Sequence, residues 1–138
     1  MKGIVLVSHG DMAKGMAQSA TFFYGDDIPQ LTWCGLRQDQ SPEEFDAELT
    51  KAVAQVVGGD GVVVLADLFG GTPCNQAILC MNDNTECVAG MNFPMLLELL
   101  SDRMGEVPGP NGLAEKGKSG IYDVKEFLAA SAADEEDE

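Results

Sequence analysis

Two unbroken runs of β-branched and leucine side chains, GIVLVS at residues 3–8 and GVVVLAD at 61–67, constrain this chain more tightly than any other feature. A strand with one wet face alternates apolar and polar residues. These runs do not alternate, so each has to be covered on both faces, as interior strands of a parallel sheet are. Parallel neighbours need a crossover of a dozen or more residues, usually a helix. Each run ends in a polar residue near glycine, His9-Gly10 in one case and Asp67 ahead of Gly70-Gly71 in the other, and helical spacing follows. Both are far shorter than the roughly 20 apolar residues of a membrane-spanning helix.

The same grammar repeats along the chain. From Asp11 the spacing of Met12, Met16, Ala20 and Phe23 predicts a helix face, closed by Gly25-Asp26-Asp27, and a second strand is expected around residues 30–35. Ser41-Pro42-Glu43-Glu44 combines an N-cap serine, a proline at the first helical position and a glutamate that completes a capping box. Phe45, Leu49, Val53 and Val56 then recur at helical spacing until Gly58-Gly59. After the run at 61–67, Thr72 is the expected N-cap of a third helix and Pro73 its first residue. A short strand near 86–89 meets a fourth helix that begins close to Pro94.

Beyond Met104, GEVPGPNG reads as a loop, residues 113–118 as a short helix and IYDV at 121–124 as a last edge strand. The acidic, low-complexity residues 129–138 are expected to be a disordered tail, which leaves one domain over 1–128. The predicted fold class is therefore α/β: an open, mostly parallel sheet with helices on both faces.

Composition narrows the function. A chain of 138 residues suffices for one domain. Its net charge of -15, with 23 acidic against 8 basic residues, lacks the basic surface that nucleic acids and anionic membranes require. An acidic surface suits a basic protein partner instead. The apolar run after Met1-Lys2 is too short for a secretory signal, so the expected compartment is the cytoplasm. Cys34, Cys74, Cys80 and Cys87 show no C-x-x-C spacing and there is one histidine, so the expectation is reduced, mostly buried thiols, no metal and no cofactor.

In open α/β sheets, ligands bind beyond the carboxyl ends of the strands, where strand order reverses. That edge collects Ser8, His9 and Gly10 from the first run, Asp67, Phe69 and the Gly70-Gly71-Thr72 turn from the third strand, and Asn92 with Phe93 from the fourth. A carboxylate at Asp67 would hold the Nδ1 proton of His9 and leave Nε2 as a nucleophile. The competing readings are a structural histidine and an ordinary strand-ending aspartate. Backbone N–H groups of Gly70, Gly71 and Thr72 at a helix start favour an anion such as phosphate. No Walker loop, G-x-G-x-x-G or G-x-S-x-G occurs. A response-regulator receiver would want paired acidic residues where Ser8-His9-Gly10 stands and a lysine near Gly90-Met91-Asn92.

Together VSHG, DLFGGTPCN and AGMNFPML, in that order, resemble the mannose-family enzyme IIA of the bacterial phosphoenolpyruvate-dependent sugar phosphotransferase system over roughly residues 1–104. The resemblance implies a phosphotransferase in which His9 accepts a phosphoryl group from the histidine-containing phosphocarrier protein and passes it to a histidine of enzyme IIB. It implies that Asp67 supports His9, that Thr72 lies near the phosphoryl group, and that the protein is a homodimer built by exchanging a C-terminal edge strand. Gly10, Gly70, Gly71 and Thr72 are then the expected phosphoryl binders, with Ser8, Phe69 and Asn92 completing the pocket. The chain departs from the family pattern in GEVPGPNGLAEKGKSG, and its end lacks an alanine-proline linker, so enzyme IIB is expected as a separate polypeptide. Two alternatives are a phosphoryl-donor subunit of a dihydroxyacetone kinase, which would not carry DLFGGTP or the NFP junction, and a regulatory module read out by its phosphorylation state.

Overall fold

Four parallel strands form one sheet in the order β2-β1-β3-β4, so the two unbroken apolar runs occupy its centre. A computed structural model describes residues 1–105 and 110–136. The elements are β1 (Gly3–His9), α1 (Met12–Tyr24), β2 (Leu31–Leu36), α2 (Pro42–Val56), β3 (Val62–Ala66), α3 (Gly71–Leu79), β4 (Thr85–Ala89), α4 (Phe93–Asp102), α5 (Pro110–Ser119) and α6 (Val124–Glu136). The α/β class expected from the sequence is the one observed.

Side chains of β1 and β3 alternate between two cores. Ile4, Leu6, Val63 and Leu65 pack beneath α1, α4 and α5, while Val5, Val7, Val62, Val64 and Ala66 pack beneath α2 and α3. Every one of these residues is buried, which is why the runs do not alternate in polarity. Burying one such side chain contributes roughly 1.5–3 kcal/mol.

The helices follow their local signals with instructive exceptions. Helix α2 has the full capping box: the Glu44 N–H donates to Ser41 Oγ at 3.1 Å and the Ser41 N–H to Glu44 Oε1 at 3.4 Å. Helix α1 forms where expected but turns a different face to the sheet. Ala13, Ala17 and Ala20 are buried, Met16 packs against them, and Met12 and Phe23 are 49% and 65% exposed. Small alanines let the helix lie close to β1, and the larger side chains are displaced to its flank. Helix α3 begins at Gly71, with Gly70 rather than Thr72 at the N-cap, because two left-handed glycines (φ +93° and +77°) turn the chain before the threonine.

The C-terminal expectations need correction. Residues 121–123 form no strand, and Val124 opens α6, which continues to Glu136 through most of the segment expected to be disordered. Asp123 caps α6 by accepting the Glu126 N–H at 3.1 Å, and the following KEFLAASAA is rich in strong helix formers. The Asp-x-x-Glu pattern is a helix start visible in the sequence. Residues 106–109 of the expected loop and 137–138 of the expected tail lie outside the described residues.

Arg103 was not singled out by sequence. It is 7% exposed at the end of α4, and its guanidinium donates to the carbonyls of Lys2, Gln30 and Pro29, binding that helix to the start of β1 and the approach to β2.

Removing the α2 cap isolates one local contribution. Ser41→Ala should lower unfolding free energy by about 1 kcal/mol, seen as a shift of the urea midpoint without a change in m-value.

Candidate functional site

Sheet order places the site. The chain leaves β1 for β2 on one side and leaves β3 for β4 on the other, so the crevice of reversed order opens between the carboxyl ends of β1 and β3. His9 is the last residue of β1, and Asp67 directly follows β3, with its N–H donating to Val7 O at 3.0 Å.

Asp67 Oδ2 lies 2.9 Å from the His9 backbone nitrogen and 2.8 Å from His9 Nδ1, while Oδ1 accepts the Leu68 N–H at 2.9 Å. Both oxygens are thus anchored. A carboxylate accepts only, so the geometry assigns the ring proton to Nδ1 and leaves the Nε2 lone pair free. The Asp67 side chain is 8% exposed against 49% for His9, so the carboxylate is sheltered and the imidazole is open. Burial pushes the Asp67 carboxyl upward, but the hydrogen bonds from the His9 N–H, the His9 ring and the Leu68 N–H outweigh it and hold the group below its ordinary range.

The Gly70-Gly71 turn meets the imidazole from the α3 side. A methyl group on Gly71 would stand 3.0 Å from His9 Cε1 and 3.1 Å from Nε2, so glycine here sets both the turn and the close approach of backbone to the imidazole. No side chain caps the first turn of α3, and Gly71, its first residue, lies against the His9 ring. Thr72 lies in that first turn, half-buried, and Phe69 stands 82% exposed at the rim.

Three expected site residues have other duties. The Gly10 N–H is taken by Leu36 O at 2.9 Å, so Gly10 shapes the turn (φ +58°) and brings no free amide donor. Ser8 is buried; its Oγ accepts the Ala13 N–H at 2.8 Å and donates to Gly10 O at 3.2 Å, which fixes the start of α1. Asn92 caps α4 by accepting the Met95 N–H at 3.0 Å and donates to Gly117 O at 2.8 Å, so it joins α4 to α5.

The wall that sequence reasoning missed comes from the β2–α2 loop. A cavity of about 410 Å³ is bounded by His9, Gly10 and Asp11 on one side and by Gly35, Leu36, Arg37, Gln38 and Gln40 on the other. Leu36 pairs in register with His9, so the loop after β2 must pass this point. Locating it needs the strand order, which no local signal provides.

All four cysteines are free thiols, with Cys34 and Cys74 buried. Burial pushes Cys34 up to about 11 and Cys87 to about 12, so these thiols stay protonated and unreactive. Among the described residues no group of three or more histidine, cysteine or acidic side chains is placed to hold a metal.

Fold and site together define an open parallel α/β protein that presents one carboxylate-supported histidine at the ligand edge of its sheet. The chain is a member of the family described as PTS system fructose IIA component, whose model matches residues 3–109. It is 28% identical over 135 residues to the PTS system mannose-specific EIIAB component of Escherichia coli, covering 94% of this chain but 42% of that protein. It thus spans less than half the length of that relative. A PTS system fructose-specific EIIA component from Bacillus subtilis is 27% identical over 105 residues, 75% of this chain and 71% of its own length. Among solved structures, the PTS IIA protein associated with the fucose utilization operon of Streptococcus pneumoniae superimposes with a TM-score of 0.83 at 29% identity, covering 92% of this chain and 96% of that one.

Two tests follow from the geometry. Alanine at Gly70 or Gly71 should cost on the order of 1–3 kcal/mol in stability from its left-handed backbone. Only Gly71→Ala should also displace the imidazole, seen as a changed His9 ring ¹⁵N spectrum. For Asp67, the folded-state affinity for a proton is below that of the unfolded chain. Its stabilising contribution is therefore complete above the ordinary carboxylate range and is lost as pH falls through the lowered value. Asp67→Asn should flatten the loss of stability below about pH 4, measured by urea unfolding across that range.

Proposed function

We propose that this protein is a cytoplasmic phosphocarrier that takes a phosphoryl group on His9 Nε2 from the histidine-containing phosphocarrier protein and passes it to a histidine of an enzyme IIB. The observation that carries this reading is the 2.8 Å contact between His9 Nδ1 and Asp67 Oδ2, with Nε2 left open beside Gly71. In the forward step the Nε2 lone pair attacks phosphorus as the N–P bond of the donor histidine breaks, and the departing nitrogen keeps the electron pair. Asp67 retains its hydrogen bond to the Nδ1 proton and stabilises the positive character the ring acquires. Phosphoryl transfer passes through a loose transition state governed by alignment and by donors around the equatorial oxygens. Gly70, Gly71 and Thr72 are the residues proposed to supply those donors from the α3 side. The onward step reverses the roles, and no metal or cofactor is needed for exchange between two histidines.

The acidic surface fits a basic donor protein, and steering by opposite charge accelerates encounter. Enzyme IIA components work with other proteins of the system, and enzyme IIB is proposed as the acceptor. The motif DLFGGTP and the NFP junction favour this reading over a dihydroxyacetone kinase subunit. Residues 1–128 are proposed as the functional domain.

A homodimer is part of the proposal. Ile121, Tyr122, Val124, Phe127 and Leu128 are each more than half exposed on the segment that enters α6, a concentration of apolar surface that a second copy would cover. Sedimentation at micromolar concentration should give about twice the 14.6 kDa of one chain. Deleting residues 120–138 should weaken the dimer, and a clean monomer in the full-length chain would defeat the assignment.

The decisive experiment mixes the protein with phosphoenolpyruvate, enzyme I and the histidine-containing phosphocarrier protein. One acid-labile, base-stable label is expected at His9 Nε2. It should vanish in His9→Ala and His9→Gln, which keep the fold because that ring is half exposed. Asp67→Asn should slow transfer by orders of magnitude, as orienting carboxylates do elsewhere. Label on an aspartate, serine or cysteine would end the phosphocarrier reading, and labelling without onward transfer to enzyme IIB would favour the regulatory one.

A further inference from the structure

We infer that the β2–α2 loop is a second wall of the phosphoryl site, in which the Arg37 guanidinium and the Gln40 amide bind phosphoryl oxygens from the side away from the glycine turn. The inference rests on the reading of His9 as phosphoryl acceptor.

Placement comes first. His9 and Leu36 are partners in the parallel register, and the Gly10 N–H donates to Leu36 O at 2.9 Å. At Gly35 any side chain would strike the Gly10 carbonyl, so the two strand ends are pressed together and the residue after Leu36 is held beside the His9 turn. His9 borders the 410 Å³ cavity together with Arg37 and Gln40, while Gly70, Gly71 and Thr72 do not line it. The histidine thus stands between two walls.

Chemistry comes second. Gln40 Oε1 accepts the Arg37 N–H at 3.1 Å, which fixes the amide orientation and leaves Nε2 as its unengaged donor. That Nε2 is buried and has no protein acceptor, the one side-chain atom in this position among the described residues. A buried donor without a partner costs roughly 1–3 kcal/mol, and such atoms call for a functional explanation. A phosphoryl group, rich in acceptor oxygens, provides one.

Among the described residues Arg37 is the only cation lining the cavity, in a chain of net charge -15. The neighbouring carboxylates Asp11 and Asp67 oppose an arriving phosphoryl dianion, and the α3 side offers neutral N–H donors only. A guanidinium here counters that repulsion and can bind two oxygens at once. At rest it contacts Glu48 Oε1 at 3.0 Å, in a pair whose side chains are 58% and 41% exposed. Exposed pairs of this kind are weak, so Arg37 can exchange Glu48 for the phosphoryl group at little cost. Leu36-Arg37-Gln38-Asp39-Gln40 then carries a phosphoryl clamp that also reports the phosphorylation state on the surface through Glu48.

The test uses ³¹P NMR and single-turnover transfer on the full-length protein. Wild type must first take label on His9; if it does not, the phosphocarrier reading fails and this inference goes with it. Given labelling, Arg37→Ala should slow phosphorylation at saturating donor by about 10- to 100-fold and move the titration midpoint of the phosphohistidine ³¹P resonance to higher pH. Gln40→Leu should slow transfer less, Gln40→Glu should move the midpoint in the same direction as Arg37→Ala, and Glu48→Gln should move it the opposite way. Arg37→Lys should restore part of the midpoint but not the full rate. Circular dichroism melts control for folding, which the exposed Arg37 does not threaten. If labelled variants keep the wild-type rate and ³¹P midpoint, the clamp is wrong while the phosphocarrier reading stands. A rise in KM with unchanged turnover and midpoint would make Arg37 a docking contact and equally overturn it.

Discussion

The pairing of β1 with β3 is the constraint on which the molecule depends. Both strands are covered on each face, so each has to lie inside the sheet, and their register sets Val7 opposite Ala66. The residues that follow, His9 on one strand and Asp67 on the other, are then delivered to the same edge within hydrogen-bond distance. Hydrophobic burial, which carries no directional information, is converted by backbone pairing into a defined distance between two polar groups. The two cores above and below the sheet hold that distance, because shifting either strand by one residue would exchange its buried faces.

Around this pair the chain uses backbone where charge would be expected. The α3 amides and the glycine turn approach Nε2 without a cation, and Asp67 is locked by three N–H donors. The proposed phosphoryl group would meet neutral backbone donors on the α3 side and a single guanidinium, Arg37, on the side of the β2–α2 loop, a balance that suits a group that has to leave again. A net charge of -15 disfavours nucleic acids and favours partners of opposite charge.

Several side chains that stand beside the histidine in sequence serve the scaffold. Ser8 and Asn92 spend their hydrogen bonds on helix starts, and the Gly10 amide closes the edge between β1 and β2. Helix α1 presents alanines to the sheet, so Met12 and Phe23, which hydrophobicity alone would bury, lie on its flank. At the C-terminus, a stretch with a few β-branched and aromatic residues becomes a helix because Asp123 caps it and alanines follow. Local composition outweighed the apolar pattern there, since no strand of the sheet is paired with that segment.

The sequence by itself determined the order of the elements up to α4, the identity of the interior strands and the presence of His9 and Asp67 at strand ends. These follow from short-range signals: runs of buried residues, caps, prolines and glycine turns. Only the tertiary structure decided that β2 lies beside β1 and so brings Arg37 and Gln40 to the histidine. It likewise decided which face of α1 is buried and which donors at the site are already engaged. Those outcomes depend on hydrogen bonds and packing between residues far apart in the chain, and a linear pattern carries no record of which distant backbone group each donor will meet.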